Sequence, residues 1–138
     1  MILADTGPLV ALFDQRDGQH VRVRQYLASL TGANSVTIPS VIVAEVAYFL
    51  PQRVGIAAEA RFLRWLAEGT FPVTDPIPAD YLRAADLVEQ YADFPLGTVD
   101  ALIVAMAERF NVTTILTLDQ RHFGPVKPLH CERFVVAP

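Results

Sequence analysis

Apolar residues along this chain fall into two patterns, short unbroken runs and runs spaced three and four residues apart. These are the signatures of buried strands and amphipathic helices. The chain opens with Met1-Ile2-Leu3-Ala4, a run apolar enough for a strand buried on both faces, which Asp5-Thr6-Gly7-Pro8 cuts off. Pro8 suits the first position of a short helix carrying Leu9, Leu12 and Phe13, and a polar loop covers Asp14 to Gln19. Val23, Tyr26, Leu27 and Leu30 share a helical face that Gly32 stops. Val36-Thr37-Ile38 reads as a second strand ending at Pro39, and Ser40 as the cap of an apolar helix, Val41 to Leu50, closed by Pro51.

Further along, Ile56, Leu63 and Leu66 mark the core face of a fourth helix ending near Gly69, with Glu59, Arg61, Arg64 and Glu68 turned outward. The proline-rich Phe71 to Pro78 has room for a brief strand. Tyr81, Ala85, Val88 and Ala92 predict the buried stripe of the next helix, terminated by Pro95 and Gly97. Thr98 is placed to cap a helix from Val99 to Phe110, with Asn111 as a left-handed stop. Thr114 to Leu118 is a β-branched strand ending on Asp119, and Phe134-Val135-Val136 is a last strand. Strands alternating with helices imply right-handed crossovers, and hence an α/β sandwich with a central, mainly parallel sheet covered by helices on both faces. No internal repeat or long linker divides residues 1–138, so a single domain is expected.

Composition agrees with a packed globule: 52% of the residues are hydrophobic and 19% charged. The longest apolar run, Val41 to Leu50, is about half of a membrane span and contains Glu45, and no basic leader precedes an apolar segment at the N-terminus. Cys131 is the single cysteine, which excludes an internal disulfide and makes a reducing, cytoplasmic location the simplest expectation. The net charge of −4 argues against a protein that holds nucleic acid through a broad basic field, though not against a metal-bridged nucleic-acid substrate. All the basic residues but Lys127 are arginine, with Arg16, Arg22 and Arg24 close in sequence and Arg61 near Arg64. Arginine suits bidentate phosphate contacts, yet a solvated surface is the plainer reading of both groups.

Four acids stand out because each is the lone charge in apolar surroundings: Asp5 after the first strand, Glu45 inside an apolar helix, Asp100 at a helix start, and Asp119 after a later strand. Singly, Asp5 and Asp119 could form turns and Asp100 could meet a helix dipole, but Glu45 has neither cap nor turn beside it. Desolvating an unpaired carboxylate costs several kcal/mol, and no basic residue lies nearby in sequence until Arg109 and Arg121, so a cation from solvent is the natural partner. Two strand-end acids side by side, facing helix starts, would lie where open parallel sheets bind ligands. Carboxylate oxygens prefer Mg²⁺ or Mn²⁺, and His20, His122, His130 and Cys131 lack zinc-ligand spacing. A hard-metal carboxylate site commonly activates water and neutralises phosphate, which makes phosphodiester hydrolysis the expected reaction.

The stretches Ile2-Leu3-Ala4-Asp5-Thr6, Val43-Ala44-Glu45-Val46, Thr98-Val99-Asp100-Ala101-Leu102-Ile103-Val104-Ala105 and Thr117-Leu118-Asp119-Gln120-Arg121-His122-Phe123 together resemble the PIN domains, in particular the small VapC-type toxins of bacterial toxin–antitoxin pairs. All four acidic positions of that pattern are occupied. The resemblance implies a metal-dependent endoribonuclease acting on RNA, usually a homodimer, inhibited by a cognate VapB-like antitoxin whose C-terminal segment fills the active-site groove. It implies Asp5, Asp100 and Asp119 as direct or water-mediated metal ligands, with Glu45 a further ligand or the group orienting the attacking water. Thr6, Thr98 and Thr117 would be supporting hydroxyls or substrate contacts, although capping alone accounts equally well for Thr98. His122 could touch phosphate but reads more simply as a solvated turn residue, and Tyr48, Phe49 and Trp65 as core or as a dimer or antitoxin surface. Rival readings fit less well. A haloacid-dehalogenase-like phosphatase needs an acid where Gly7 stands, and a receiver domain needs a lysine after a clean strand, which Lys127 is not. A non-catalytic domain whose acidic groove only seats a partner remains open.

Overall fold

The first strand, β1 (Ile2–Ala4), is buried along its whole length because it pairs on both edges. The computed structural model describes residues 1–31, 35–94 and 96–138; Gly32 and Pro95, expected to end helices, lie outside them. After β1 come α1 (Thr6–Phe13), α2 (His20–Ser29), β2 (Val36–Pro39), α3 (Ser40–Arg53), α4 (Ile56–Glu68), β3 (Val73–Thr74), α5 (Pro78–Gln90), α6 (Thr98–Phe110), β4 (Thr114–Leu116), α7 (Gln120–Phe123) and β5 (Val135–Ala137). The strands form one sheet in the order β3-β2-β1-β4-β5, with every pair parallel and Leu3 set between Thr37 and Ile115. The α/β architecture and the parallel sheet are therefore as the alternation of elements predicts.

The chain steps outward from β1 to β2 and β3, then crosses back to β4 and β5, so β1 and β4 flank the point where the strand order reverses. With right-handed crossovers the two groups of helices cover opposite faces. On one side α2 packs on α1, α1 on α3 and α3 on α4; on the other α5 packs on α6. α6 is buried without a break from Ala101 to Ala107, and ends where Asn111 takes a left-handed φ of 55°.

Several expected boundaries and faces shift. α1 begins at Thr6, which puts Pro8 in its third position, where an amide is still dispensable. α3 runs through Pro51 to Arg53: in the last turn a proline forfeits one hydrogen bond, and Val54 and Gly55 close the helix by donating to Leu50 O. Ser40 and Thr98 do not cap: they are first helical residues, preceded by Pro39 and Gly97, neither of which makes a side-chain cap bond. β4 stops at Leu116, and β5 is displaced by one residue to Val135–Ala137.

The buried faces of α4 and α5 are also rotated from expectation. In α4 the core residues are Ala58 and Phe62, while Ile56 and Leu63 are exposed. Phe62 and Trp65 pack with Phe13, and Trp65 meets Phe71 edge-on, so aromatic interlock sets this face. In α5 the buried set is Asp80, Ala84 and Leu87, with Tyr81 and Val88 exposed. Asp80 can occupy a core position because Arg109 donates to both of its oxygens and the Ile77 amide to one.

Candidate active site

Asp5 follows β1 directly, and both of its oxygens are taken. Oδ1 accepts the Thr6 amide at 2.7 Å and so caps α1; Oδ2 accepts the Thr117 hydroxyl at 2.7 Å, across from β4. The Thr6 hydroxyl donates to Glu45 Oε2 at 2.6 Å, which draws an α3 side chain to the end of β1. The hydroxyl of Thr117 also accepts the Asp119 amide at 3.0 Å, fixing the turn into α7. Thr6 and Thr117 are buried, and each donates its hydroxyl to one of the acids. Thr98 lines the same groove exposed, and its hydroxyl makes no hydrogen bond among the described residues.

Asp100, in the first turn of α6, completes the group from the opposite layer. Burial first, and the nearby Asp5 carboxylate second, push its pKa up to about 6. Burial likewise raises Asp5, against the pull of its hydrogen bonds from Thr117 and Thr6. Four elements therefore contribute to one groove of about 590 Å³ that contains Asp5, Glu45, Asp100 and Asp119.

Asp119 departs from expectation. It does not end a strand but caps α7, accepting from the Arg121 amide, and its carboxylate is paired with the Arg121 guanidinium at 3.0 Å. That guanidinium holds its pKa below the usual value, so this acid has a cation from the chain itself. His122, in the same short helix and partly exposed, faces the acids. Its Nδ1 lies 3.2 Å from Asp100 Oδ2 and its Nε2 3.9 Å from Asp119, and its ring meets Phe94 edge-on. Phe49, one turn beyond Glu45, lines the groove as well. The signal for His122 was its three-residue spacing from Asp119 in a helical turn; for Phe49 it was the four-residue spacing from Glu45.

The donor set suits a hard divalent ion, because only carboxylate oxygens and one imidazole converge. Among the described residues no three such side chains are close enough to hold an ion as they stand.

Residues 2–126 match the PIN domain family. The ribonuclease VapC26 of Mycobacterium tuberculosis is 36% identical over 137 residues, covering 99% of this chain and all of that protein. Among solved structures, M. tuberculosis VapC20, described as a Sarcin-Ricin loop cleaving toxin, superposes with a TM-score of 0.79 at 18% identity, over 86% of this chain and 90% of its own. A toxin–antitoxin complex from Klebsiella pneumoniae gives a TM-score of 0.70 at 21% identity, over 98% of this chain and 100% of that one. At these identities the two structural likenesses carry the fold.

Proposed function

The chain belongs to the PIN domain family, and from that membership we propose that it is a metal-dependent endoribonuclease, the toxin of a toxin–antitoxin pair, cutting RNA phosphodiester bonds in the acidic groove. The observation that carries the reading is the convergence of Asp5, Glu45 and Asp100 on one groove at the carboxyl end of the sheet, with Glu45 held by Thr6 and Asp5 by Thr117. Asp5 and Asp100 would hold Mg²⁺ or Mn²⁺, joined by Asp119 once it releases Arg121. A bound ion supplies Lewis acidity at the phosphate and an acidified water.

The chain's own groups do the rest. The Thr6 hydroxyl fixes Glu45 by one oxygen and leaves Oε1 to take a proton from the attacking water. The water oxygen then bonds to phosphorus as the bond to the leaving ribose oxygen breaks. Thr117 holds Asp5 facing the groove so that no rotation is needed during the reaction. Exposed Ile56 and Leu63 on α4, and Tyr81, Leu82 and Val88 on α5, leave apolar surface for a homodimer or a VapB-like antitoxin. Among the described residues no helix is long and apolar enough to cross a membrane.

The test is cleavage of a pool of structured RNAs by antitoxin-free protein, with Mg²⁺ or Mn²⁺ against EDTA and Asp5→Asn as control. Discrete cuts that need metal and vanish in Asp5→Asn are expected. One observation favours a second reading, a non-catalytic groove that only seats a partner: Arg121 occupies Asp119. That reading requires folded, inhibitor-free protein to cut nothing in any metal.

A further inference from the structure

Among the described residues no arginine or lysine lines the groove that contains the four acids, and Arg121 beside it is already paired with Asp119. An RNA strand entering it meets negative charge on several sides, so whatever cations grip its phosphates must lie just outside. The fold assembles such a group from distant parts of the sequence. On α3, Glu45, Phe49 and Arg53 are spaced four residues apart and share one stripe, about 12 Å from first to last at 1.5 Å per residue. Glu45 and Phe49 line the acidic groove; Arg53, exposed at the end of the helix, places its guanidinium carbon 5.4 Å from the centre of the Phe49 ring. Tyr48, also exposed, meets the same ring edge-on with centroids 5.5 Å apart.

Beyond Arg53 lies a second cleft of about 720 Å³ at the end of α1, whose lining includes Arg16, Val54 and Arg61. Arg16 binds the carbonyl of Arg53, which joins this cleft to the stripe. Asp14 lines it too: largely buried, it accepts the Arg16 amide and pairs with the Arg16 side chain at 3.6 Å, offsetting part of that charge and leaving Arg53 and Arg61 as the cations without a carboxylate partner among the described residues. The Arg16 side chain is 76% exposed, and Arg61, likewise exposed, makes no hydrogen bond or ion pair among the described residues. Arginines at positions 16, 53 and 61, unrelated in the sequence, are thereby gathered at one end of the path that leaves the acidic groove.

We propose that Arg53, Arg16 and Arg61 form a phosphate-binding track for the RNA strand flanking the cut, with Phe49 as the stacking platform between track and acids. The proposal rests on the nuclease reading of the groove and adds the surface that holds the substrate. Guanidinium groups suit phosphate oxygens, and a half-buried ring that lines the groove and is flanked by a cation suits an unstacked base. An acidic segment of a partner protein is the competing occupant.

The test is binding of a fluorescein-labelled RNA hairpin, followed by anisotropy in EDTA over a range of salt, with cleavage of the same RNA in Mg²⁺ measured alongside. For Arg16→Ala/Arg61→Ala the dissociation constant should rise roughly tenfold at low salt, and the slope of log affinity against log salt should fall by about 1.4, two contacts at about 0.7 each. Arg61→Glu, which breaks no contact within the fold, should weaken binding at least as much as removing Arg61 alone, and Phe49→Leu should weaken it without changing the slope. Arg24→Ala, an exposed arginine of α2, should leave both quantities as they are. Unchanged slopes in the track variants, or an equal loss in Arg24→Ala, would overturn the track even if the wild type cuts RNA. Loss of antitoxin capture with RNA binding intact would assign the arginines to a protein partner instead. Track-dependent binding without metal-dependent cleavage would overturn the nuclease reading and leave the track standing.

Discussion

Thr6 serves two carboxylates at once, its amide bound to Asp5 and its hydroxyl to Glu45, and Thr117 ties Asp5 to the turn that contains Asp119. These bonds hold acids of like charge together, and Asp100 bears the electrostatic cost. Its folded pKa of about 6 lies above the ordinary 3.8, so the folded chain holds this proton more tightly than the unfolded chain does. Stability from the group is therefore fully present below about pH 4 and is lost as pH rises through about 6, by something on the order of 2 kcal/mol once solvent screening of a partly exposed carboxyl is discounted. Asp5, also raised, acts in the same direction. In EDTA, the melting temperature of the wild type should fall relative to that of Asp100→Asn between pH 4 and 7; a constant difference across that range would mean that Asp100 is neither desolvated nor repelled. At this scale the four acids were legible as lone charges in apolar elements. His122 was not, because four residues of α7 are too short for periodicity to register, and a turn histidine looks the same wherever it points.

Elements were legible where the buried residues are uniformly apolar, and misread on α4, where aromatic packing sets the face, and on α5, where a polar group occupies a core position. β1 and α6 follow their patterns, whereas the stripe expected on α5 is off by one residue because Asp80 takes a buried position. Nothing in local sequence announces that its partner is Arg109 on α6, which also stacks on Phe110 with its guanidinium carbon 4.0 Å from the ring centre. Arg83 and Glu108 form a second pair between the same helices, at 2.8 Å. Since Asp80 is only 3% exposed, removing Arg109 alone would leave a charge stranded in the core. Arg109→Leu should cost about 3 kcal/mol in urea unfolding, and adding Asp80→Asn should restore much of it, because asparagine is neutral and can still accept the Ile77 amide. Strictly additive losses would show that the two helices are held by apolar packing alone. α5–α6 is the layer that presents Asp100, so this pair supports the groove from behind.

For the whole molecule, alternation of strands and helices was enough to expect a parallel sheet, but not the strand order that sets Asp5 beside Thr117 at the point where that order reverses. That order is a matter of which crossover goes where, and it turns acids at positions 5, 45 and 100 into neighbours. A fold that concentrates unneutralised carboxylates at one end should be stabilised by whatever cation they bind. At Mg²⁺ or Mn²⁺ about tenfold above its dissociation constant the gain is about 1.4 kcal/mol, a few degrees in melting temperature for a chain of this size. Asp100→Asn should start from a higher melting temperature than the wild type in EDTA at pH 7, since repulsion is relieved, and should gain little from metal. Arg61→Glu, remote from the acids, should respond to metal as the wild type does. Equal stabilisation of wild type and Asp100→Asn by millimolar metal would place the ion elsewhere on the surface. A response confined to the wild type and to variants outside the groove would tie it to the carboxylates that the strand order brings together.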